Sequence, residues 1–469
     1  MRIRLSSLLI ILILSISLFA QVNGTIIEQD LDASGHGYSI ARFWGSHYEM
    51  GYAYGYLFAD EIYNTVLDIY GLIASMGYSW EEVQYLMSTY TYKPDYIEEE
   101  FQAIADGVND ARPGSDITGT EVKAFNLFGD IAYACRSVSS WGSTTAESEF
   151  TTISTRRLDY SDMGIDAQNH HMIAIFQPED GSPDWINFGW PGFVTVVTAV
   201  NEYGTLSSLH DFYGSGTVMG DALPRVLAAR WILCMEFDED ISTHAAMAFD
   251  SLSGYMCPTG GFLNYYVPDG HGGVISHNYT AGFHDLRRPN SSCYLGQAIY
   301  TNNSIIDGSY VGEPWTGYYE SNASSGMITM DGQWDVSGPS FHRLTIGVRE
   351  RGDNKIWFEG QQPVGNTPRI ELEWAEIMSI EEKQYTSLPD NYDISAYPNP
   401  FNSVVNISMD KKIQNMRIYD MQGNLVFSEF IDDKTYKWQP ASELESGVYL
   451  VNAISQSNLN STQTIIYLK

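Results

Sequence analysis

Cys135 is the residue of this chain whose type and setting best suit acyl transfer. It follows Ala134, begins an alternating segment of small residues that runs to Gly142, and precedes the Arg-x-x-Asp pair Arg156 and Asp159 by about twenty residues. The thiolate, rather than the thiol, is the nucleophile, so a cysteine that attacks a carbonyl needs a base or a nearby cation. The pattern therefore predicts a nucleophile, a cation and a carboxylate in one short stretch.

A cut between Ala134 and Cys135 would supply the base. Cys135 would then carry an α-amino group, and because such amines titrate near about 7.7–8.0, the amine can take the thiol proton and return it to a leaving amine. The thiol can make this cut itself through an N-to-S acyl shift followed by hydrolysis. We therefore expect a self-processing N-terminal nucleophile whose second chain begins at Cys135.

A polar turn separates two alternating segments, Cys135–Gly142 and Phe150–Arg156, which predicts a β-hairpin. The second strand of this hairpin would bring Arg156 and Asp159 towards Cys135. Arg156 would favour the thiolate, and Asp159 would hold and orient the α-ammonium group. For each of these two residues the alternative is an ion pair at the surface or within the fold.

Further motifs lie in order on both sides of Cys135. They are Gly45–Gly55, Phe125–Asp130, the C-x-S-x-x-x-W-G pattern of Cys135, Ser137, Trp141 and Gly142, Thr155–Asp159, Trp190-Pro191-Gly192, Asn201-Glu202-Tyr203-Gly204 and Thr301-Asn302. Over roughly residues 37–375 they resemble the peptidase C45 family, the penicillin acyltransferase-like branch of the N-terminal nucleophile hydrolases, with bile-salt hydrolases and ceramidase-type amidases as distant relatives. The resemblance implies a four-layer αββα core.

The resemblance also implies roles for individual residues. Cys135 would be the nucleophile, Asn201 and Asn302 would form the oxyanion hole, and Arg343 would be a substrate or charge partner. For Asn201 the alternative is a turn residue, because Asn-Glu-Tyr-Gly also suits a tight hairpin turn, and for Asn302 it is a strand-end cap. The chain departs from the family pattern at Ala134, Thr155, Arg157 and Asn303.

The elements that would position these residues follow from hydrophobic periodicity. Helices are predicted near Tyr48–Ala74, Trp80–Thr91, Tyr96–Asn109, Pro224–Glu236 and Thr243–Leu252. Besides the hairpin, strands are predicted at His171–Gln177, Trp185–Phe188, Val194–Val200, Leu263–Val267, Val274–Ser276, Ala298–Tyr300, Lys355–Glu359 and Arg369–Glu373. This order of helices and strands favours an α+β domain. Gly51 and Gly55 favour close packing of another element against the first helix.

The last part of the chain differs in composition. Short alternating strands are separated by turns, which predicts a small β-sandwich over residues 394–469. Its motifs are Tyr397–Asn402, Ile418–Gly423, Ser446–Val451 and Ile465–Lys469. This module resembles a type A sorting domain of the type IX secretion system, which implies passage through the periplasm to the surface or the medium. The alternative is an ordinary carbohydrate-binding or adhesive sandwich.

Composition and charge limit the possible partners. Lys and Arg number 25 against 58 Asp and Glu, a formal net charge of −33, which disfavours nucleic-acid phosphates and anionic membranes as partners. Residues 1–20 have a positive start, an apolar centre and a small residue at the end, as a signal peptide does. This apolar stretch is shorter than the roughly 20 residues of a membrane span, so we expect no transmembrane segment in the mature chain.

The four cysteines do not indicate a disulfide scaffold or a zinc site. With Cys135 assigned as the nucleophile, at most one bridge remains among Cys234, Cys257 and Cys293. The predicted chemistry needs no metal or organic cofactor. The predicted organisation is a signal peptide (1–20), an α chain (21–134), a β chain (135–380), a linker (381–393) and a sorting domain (394–469).

The sequence thus predicts a secreted, self-cleaving amidohydrolase or acyltransferase. It would act on a small amide or acyl substrate through a thioester and would engage the type IX secretion machinery through its last module. One alternative is a phospholipase B-like or ceramidase-like lipid hydrolase on the same fold. A second is an inactive surface-binding relative, and a cysteine protease that uses a histidine is disfavoured because no paired Cys/His signature stands out.

Overall fold

The computed structural model describes residues 22–127, 134–159, 169–211, 222–235, 244–252, 254–255, 261–266, 268, 274–278, 283–286, 299–301, 304–308, 314–379, 394–420, 425–441, 444–455 and 460–469. The chain divides into two compact units, Met1–Ser379 and Ile380–Lys469. The predicted signal peptide and linker lie outside the described residues, as do Asn302, Cys257 and Cys293.

Of the ten helices described in the first unit, five precede Cys135 in the chain and five follow it. Those described are α1 (His47–Leu57), α2 (Ala59–Ser75), α3 (Trp80–Ser88), α4 (Ile97–Ala111), α5 (Gly119–Leu127), α6 (Arg225–Leu233), α7 (His244–Leu252), α8 (Trp315–Asn322), α9 (Met330–Ser337) and α10 (Trp374–Met378). The single helix predicted over Tyr48–Ala74 divides at Phe58, whose φ of −123° is not helical. Phe58 is fully buried and packs edge-on against Tyr54 in the preceding turn and against His170, far along the chain. The contact with His170 is a tertiary one that periodicity does not reveal.

The strands of the first unit form one hydrogen-bonded network. Those described are β1 (Gly24–Leu31), β2 (Gly37–Gly45), β3 (Ala134–Trp141), β4 (Thr152–Asp159), β5 (His170–Pro178), β6 (Trp185–Gly189), β7 (Thr198–Asn201), β8 (Leu206–Asp211), β9 (Gly261–Tyr266), β10 (Val274–Asn278), β11 (Phe283–Leu286), β12 (Ile299–Thr301), β13 (Ser304–Gly308), β14 (His342–Glu350), β15 (Asp353–Gly360) and β16 (Ile370–Glu373). The main path runs β1-β2-β5-β6-β7-β8-β3-β4-β14-β15-β16. The predicted hairpin is confirmed, because β3 and β4 pair antiparallel from Ala134↔Asp159 to Trp141↔Thr152.

The network changes direction where β8 meets β3. These two strands run parallel, and the pairing described between them is the bridge Ala134↔Asp211. On either side of that corner, apolar residues of β5 and β6 share a cluster with residues of β14 and β15, among them Ile173, Phe188, Leu344 and Phe358. The two halves of the network therefore pack face to face, and the corner between them lies at Ala134.

Helices cover the other faces of these strands. Phe43 and Phe176, on β2 and β5, share a buried cluster with residues of α1, α2, α4, α5 and α6. Val138 on β3 packs with Trp315 and Tyr319 of α8, and Trp357 on β15 packs with Trp334 of α9, among other contacts. The predicted α+β class is confirmed.

Helix α1 packs closely against α4, as the two glycines predicted. A Cβ added at Gly51 would lie 2.9 Å from the Glu100 carbonyl oxygen, and one at Gly55 would lie 2.0 Å from that of Ile104. Real Cβ atoms do not approach backbone this closely, so only glycine permits this helix spacing. The start of α1 is held by a capping box between Ser46 and Glu49.

The second unit is formed by strands. They are β17 (Ser395–Tyr397), β18 (Val405–Asp420), β19 (Leu425–Trp438), β20 (Gly447–Ser455) and β21 (Asn460–Tyr467). All five belong to one sheet, and a bridge between Phe401 and Tyr467 brings its start and end together. The module is therefore a strongly bent, nearly closed sheet rather than the predicted sandwich of two sheets. The long strand β18 pairs with β17, β19 and β20, and its register is irregular between Ser408 and Asn415. One strand therefore joins what would otherwise be two sheets, and it bends where the register shifts.

Candidate active site

Cys135 lies on β3 next to the corner of the strand network. It pairs with Leu158 on β4, and both side chains belong to the apolar cluster beneath the helices. Cys135 is a reduced thiol with 1% of its surface exposed. In the continuous chain the predicted nucleophile is thus enclosed by the fold, one residue from the bridge between Ala134 and Asp211.

Arg156 contacts the thiol directly. It pairs with Ser137 in the hairpin, so its side chain lies diagonally from Cys135 on the same face of the two strands. Its Nη2 donates to Cys135 Sγ over 3.2 Å and to the Leu209 carbonyl oxygen over 2.7 Å. Arg156 is fully buried, and none of the ion pairs found among the described residues includes it. A buried guanidinium in this position favours a thiolate electrostatically.

Asp159 lies opposite Ala134 across the hairpin. Its carboxylate accepts from Arg157 Nε over 2.7 Å, and Arg157 also donates to the Ser337 carbonyl oxygen over 3.1 Å. The structure therefore brings Asp159 next to the bond that the sequence predicts to be cut. In the uncut chain this carboxylate has Arg157 as its partner, as the ion-pair alternative proposed.

Of the two asparagines predicted for the oxyanion hole, the structure describes Asn201 and does not bring it to Cys135. Asn302 lies outside the described residues. Asn201 is buried in the turn after β7, where its Nδ2 donates to the Leu233 carbonyl oxygen and its Oδ1 accepts from the Tyr203 and Thr205 amides. Strand β8 runs from this turn to the corner at Ala134. Its five residue steps of about 3.3 Å each place the turn about 17 Å from the corner. The contacts of Asn201 are those of a turn residue.

Arg343 lies on the opposite face of β14 from the row that contains Cys135. It pairs with Arg157, whereas its neighbour His342 pairs with Leu158, and successive strand residues point to opposite faces. Arg343 donates to Glu359 over 3.0 Å and to the Trp334 carbonyl oxygen over 3.1 Å, with its guanidinium over the Trp334 ring. The structure therefore does not bring this predicted charge partner to the thiol.

Asn126 joins two motifs of the sequence, Phe125–Asp130 and Trp190-Pro191-Gly192, that lie far apart in the chain. Its Oδ1 accepts from the Val194 and Thr195 amides over 2.7 and 3.1 Å, and its Nδ2 donates to the Gly192 carbonyl oxygen over 3.0 Å. Helix α5, which contains Asn126, thus holds the loop that follows Trp190. This role is structural and shapes the region beneath the corner.

A second polar network lies beneath the helices. Glu100 accepts from both Nη groups of Arg230 over 3.1 and 2.8 Å and contacts His47 Nδ1 over 2.7 Å. His47 Nε2 contacts Asp180 over 2.9 Å. Burial alone would raise the pKa of Glu100, but Arg230 and His47 hold it below its usual value. The ionised network ties α4, α6 and the start of α1 together.

Two buried histidines near the thiol were not assigned by sequence reasoning. His171 on β5 and His342 on β14 contact each other through ring nitrogens 2.9 Å apart. Their strands are 171 positions apart in the chain, so no local spacing relates them. The sequence signal that could have found His342 is the alternation of its strand, which places this residue on the inward face.

Comparison with known proteins identifies the second unit. Residues 395–468 match the family model described as "Secretion system C-terminal sorting domain". This module is a sorting domain. It indicates export by type IX secretion to the cell surface or beyond the cell, and an interaction with the secretion machinery. Among the described residues, no helix is long and apolar enough to cross a membrane.

The chain also has a more distant relative. The chain is 25% identical to protein dcd1A of Dictyostelium discoideum in an alignment of 237 residues that covers 43% of this chain and 51% of that protein. The chain therefore spans about half the length of the curated relative it matches.

Similarities to solved structures are weak. PorZ, a surface component of the type IX secretion system of Porphyromonas gingivalis, is 19% identical with a TM-score of 0.16, covering 25% of this chain and 16% of PorZ. Latent PorU of the same organism is 12% identical with a TM-score of 0.14, covering 35% of this chain and 13% of PorU. CopC from Methylosinus trichosporium OB3b is 14% identical with a TM-score of 0.14, covering 16% of this chain and 90% of CopC.

Proposed function

We propose that the first unit is a self-processing cysteine N-terminal nucleophile hydrolase of the C45 type. It cuts the bond between Ala134 and Cys135 and then hydrolyses a small amide through a thioester, or transfers the acyl group to an acceptor amine. The observation that carries this proposal is the contact of 3.2 Å between the buried Arg156 guanidinium and Cys135 Sγ. A buried cation beside a thiol at the start of a strand is the setting that activates a nucleophilic cysteine.

The packing of the unit supports the same proposal. The two halves of the strand network pack on each other, and helices cover both outer faces. This arrangement is compatible with the four-layer αββα core that the C45 resemblance implies. Cys135 follows the corner between the two halves, where a new N-terminus would open onto the space between the layers.

Each step uses a group of this chain. The Cys135 thiolate attacks the carbonyl carbon, forming a C–S bond, and the C–N bond then breaks. The α-amino group of Cys135 has by then taken the thiol proton, and the resulting α-ammonium group gives this proton to the leaving nitrogen. Water later cleaves the thioester to release the acid. Asp159 orients the α-ammonium group, and Arg156 stabilises the thiolate. Asn201 and Asn302 stay predictions for the oxyanion hole.

The test is to follow the chain termini of the purified full-length protein and of a Cys135→Ala variant. We expect a fragment beginning at Cys135 in the wild type and an uncut chain in the variant, with hydrolysis of amide substrates only in the wild type. An uncut, folded wild type that lacks thiol reactivity would contradict the proposal and favour an inactive binding protein. Vesicles that present lipid amides and esters would distinguish the lipid-hydrolase alternative.

A further inference from the structure

The buried histidine pair has a defined protonation pattern. His171 Nε2 lies 2.6 Å from the Gln361 carbonyl oxygen, and because a carbonyl can only accept, this nitrogen carries a hydrogen. Burial lowers the pKa of His171 to about 4, so at neutral pH its Nδ1 has a lone pair. His342 Nε2, 2.9 Å away, must therefore donate to His171 Nδ1.

The other nitrogen of His342 is consequently an acceptor. Burial, followed by the nearby His171 and Arg156, holds the pKa of His342 well below its usual value, so the ring is neutral. With Nε2 protonated, Nδ1 is left with its lone pair. This atom is buried and has no hydrogen-bond partner among the described residues, and native proteins rarely leave a buried polar atom in that condition.

His342 belongs to the same row as the thiol. Cys135 pairs with Leu158, and Leu158 pairs with His342, so these three side chains lie side by side on one face of β3, β4 and β14. At about 4.8 Å between strands, the Cα atoms of Cys135 and His342 are about 10 Å apart. Arg156 lies one step along the same face of β4 and is diagonal to both residues.

Arg156 contributes unused donors to this region. Its Nη2 is occupied by Cys135 and the Leu209 carbonyl oxygen, but its Nε and Nη1 are buried without a partner in the described part of the chain. Around one row of side chains, the protein thus presents N–H donors on Arg156 and one acceptor on His342. A secondary amide is complementary to this set, because it offers one carbonyl oxygen and one N–H, whereas an ester lacks the N–H.

We propose that His342 is a specificity-determining residue. Its Nδ1 accepts a hydrogen bond from the N–H of a secondary amide substrate, while Arg156 donates a hydrogen bond to a carbonyl oxygen of the same substrate. This inference rests on the proposed function and assigns to His342 the discrimination between a secondary amide and the corresponding ester. His342 neither gains nor loses a proton. The N–H hydrogen stays on the leaving nitrogen, which departs as an amine after it receives the proton that came from the thiol.

Two substitutions separate the acceptor from the structural link. His342→Gln keeps an N–H group near the position of Nε2, so it can still donate to His171, but it removes the acceptor at Nδ1. His342→Asn places an oxygen near the position of Nδ1 and loses the link to His171. His170→Gln is the matched control, because His170 is the adjacent buried histidine and bonds Ser39 rather than His342.

The experiment compares kcat/KM for acyl p-nitroanilides, which are secondary amides, with kcat/KM for the p-nitrophenyl esters of the same butanoyl and decanoyl groups. We expect His342→Gln to lower the value for the anilide about tenfold and to leave the ester nearly unchanged, because the lost hydrogen bond exists only with the amide. His342→Asn and His170→Gln should keep the amide-to-ester ratio of the wild type.

Two outcomes would overturn the inference, and they are distinguishable. Equal losses on anilide and ester in His342→Gln would mean that the pair only joins β5 to β14, and the proposed function would stand. A wild type that hydrolyses neither probe and is not acylated at Cys135, as judged by intact mass, would refute the proposed function and this inference with it.

Discussion

Replacing Arg156 with methionine should slow self-cleavage at Ala134–Cys135 by about two to three orders of magnitude. The substitution removes the cation that lies 3.2 Å from Cys135 Sγ and keeps an unbranched apolar chain of similar reach. The fold should tolerate the substitution. No described ion pair includes Arg156, so no carboxylate loses its partner, and replacing buried charge by apolar side chains often leaves stability unchanged.

The magnitude follows from Coulomb's law. The positive charge is spread over the guanidinium, so its centre is about 4 Å from the sulfur, and at an effective dielectric constant of about 20 the attraction to a thiolate is about 4 kcal/mol. Each 1.36 kcal/mol is worth about tenfold in rate, so about 10³ is the upper limit. Water or other dipoles that enter the variant would recover part of this, which gives a lower limit of about 10².

The assay is the lifetime of the uncut chain after cell-free synthesis, followed by quenching and intact mass measurement. Arg156→Lys keeps the charge and should lose less than Arg156→Met. Arg349→Met is the matched control, since Arg349 pairs with Asp353 near the other end of β14. If the uncut Arg156→Met chain had a lifetime within threefold of the wild type, electrostatic activation by Arg156 would be refuted.

Three further results are expected. Arg230→Met should destabilise the first unit by about 3–5 kcal/mol in urea unfolding, because the buried Glu100 carboxylate loses its guanidinium partner and keeps only His47, and Glu100→Gln combined with it should recover part of the loss. The pKa of Glu100 is held below its usual value, so the stability that the ionised carboxylate contributes is complete above about pH 4.3 and is lost as the pH falls further. Below that pH the wild type should therefore lose stability more steeply than the double variant. Gly55→Ala should cost at least about 1–3 kcal/mol through its clash with α4, whereas Gly71→Ala, which meets nothing within 4 Å, should be neutral or stabilising; equal effects would contradict the packing argument. Deleting residues 394–469 in a host with type IX secretion should retain the protein in the periplasm, and its appearance in the medium would contradict the sorting role.

The sequence alone was sufficient for the features that depend on local pattern. The hairpin of β3 and β4 was predictable because alternation and a polar turn lie in one continuous segment, and the same pairing brings Arg156 to Cys135. The sorting domain was predictable because its motifs cover the whole module. The close packing at Gly51 and Gly55 was also visible as a spacing of four on one helix.

Other features were decided only by the tertiary structure, because they depend on contacts between residues far apart in the chain. The helix breaks at Phe58, which is not a helix-breaking residue type, and the buried Phe58 ring there packs against His170 on β5. The face on which Arg343 lies is set by its register with β4. The sequence does not show that the His342 ring is neutral, or that its Nδ1 is an acceptor. Both properties depend on hydrogen bonds across two packed layers and on the loss of solvent around the rings of His171 and His342.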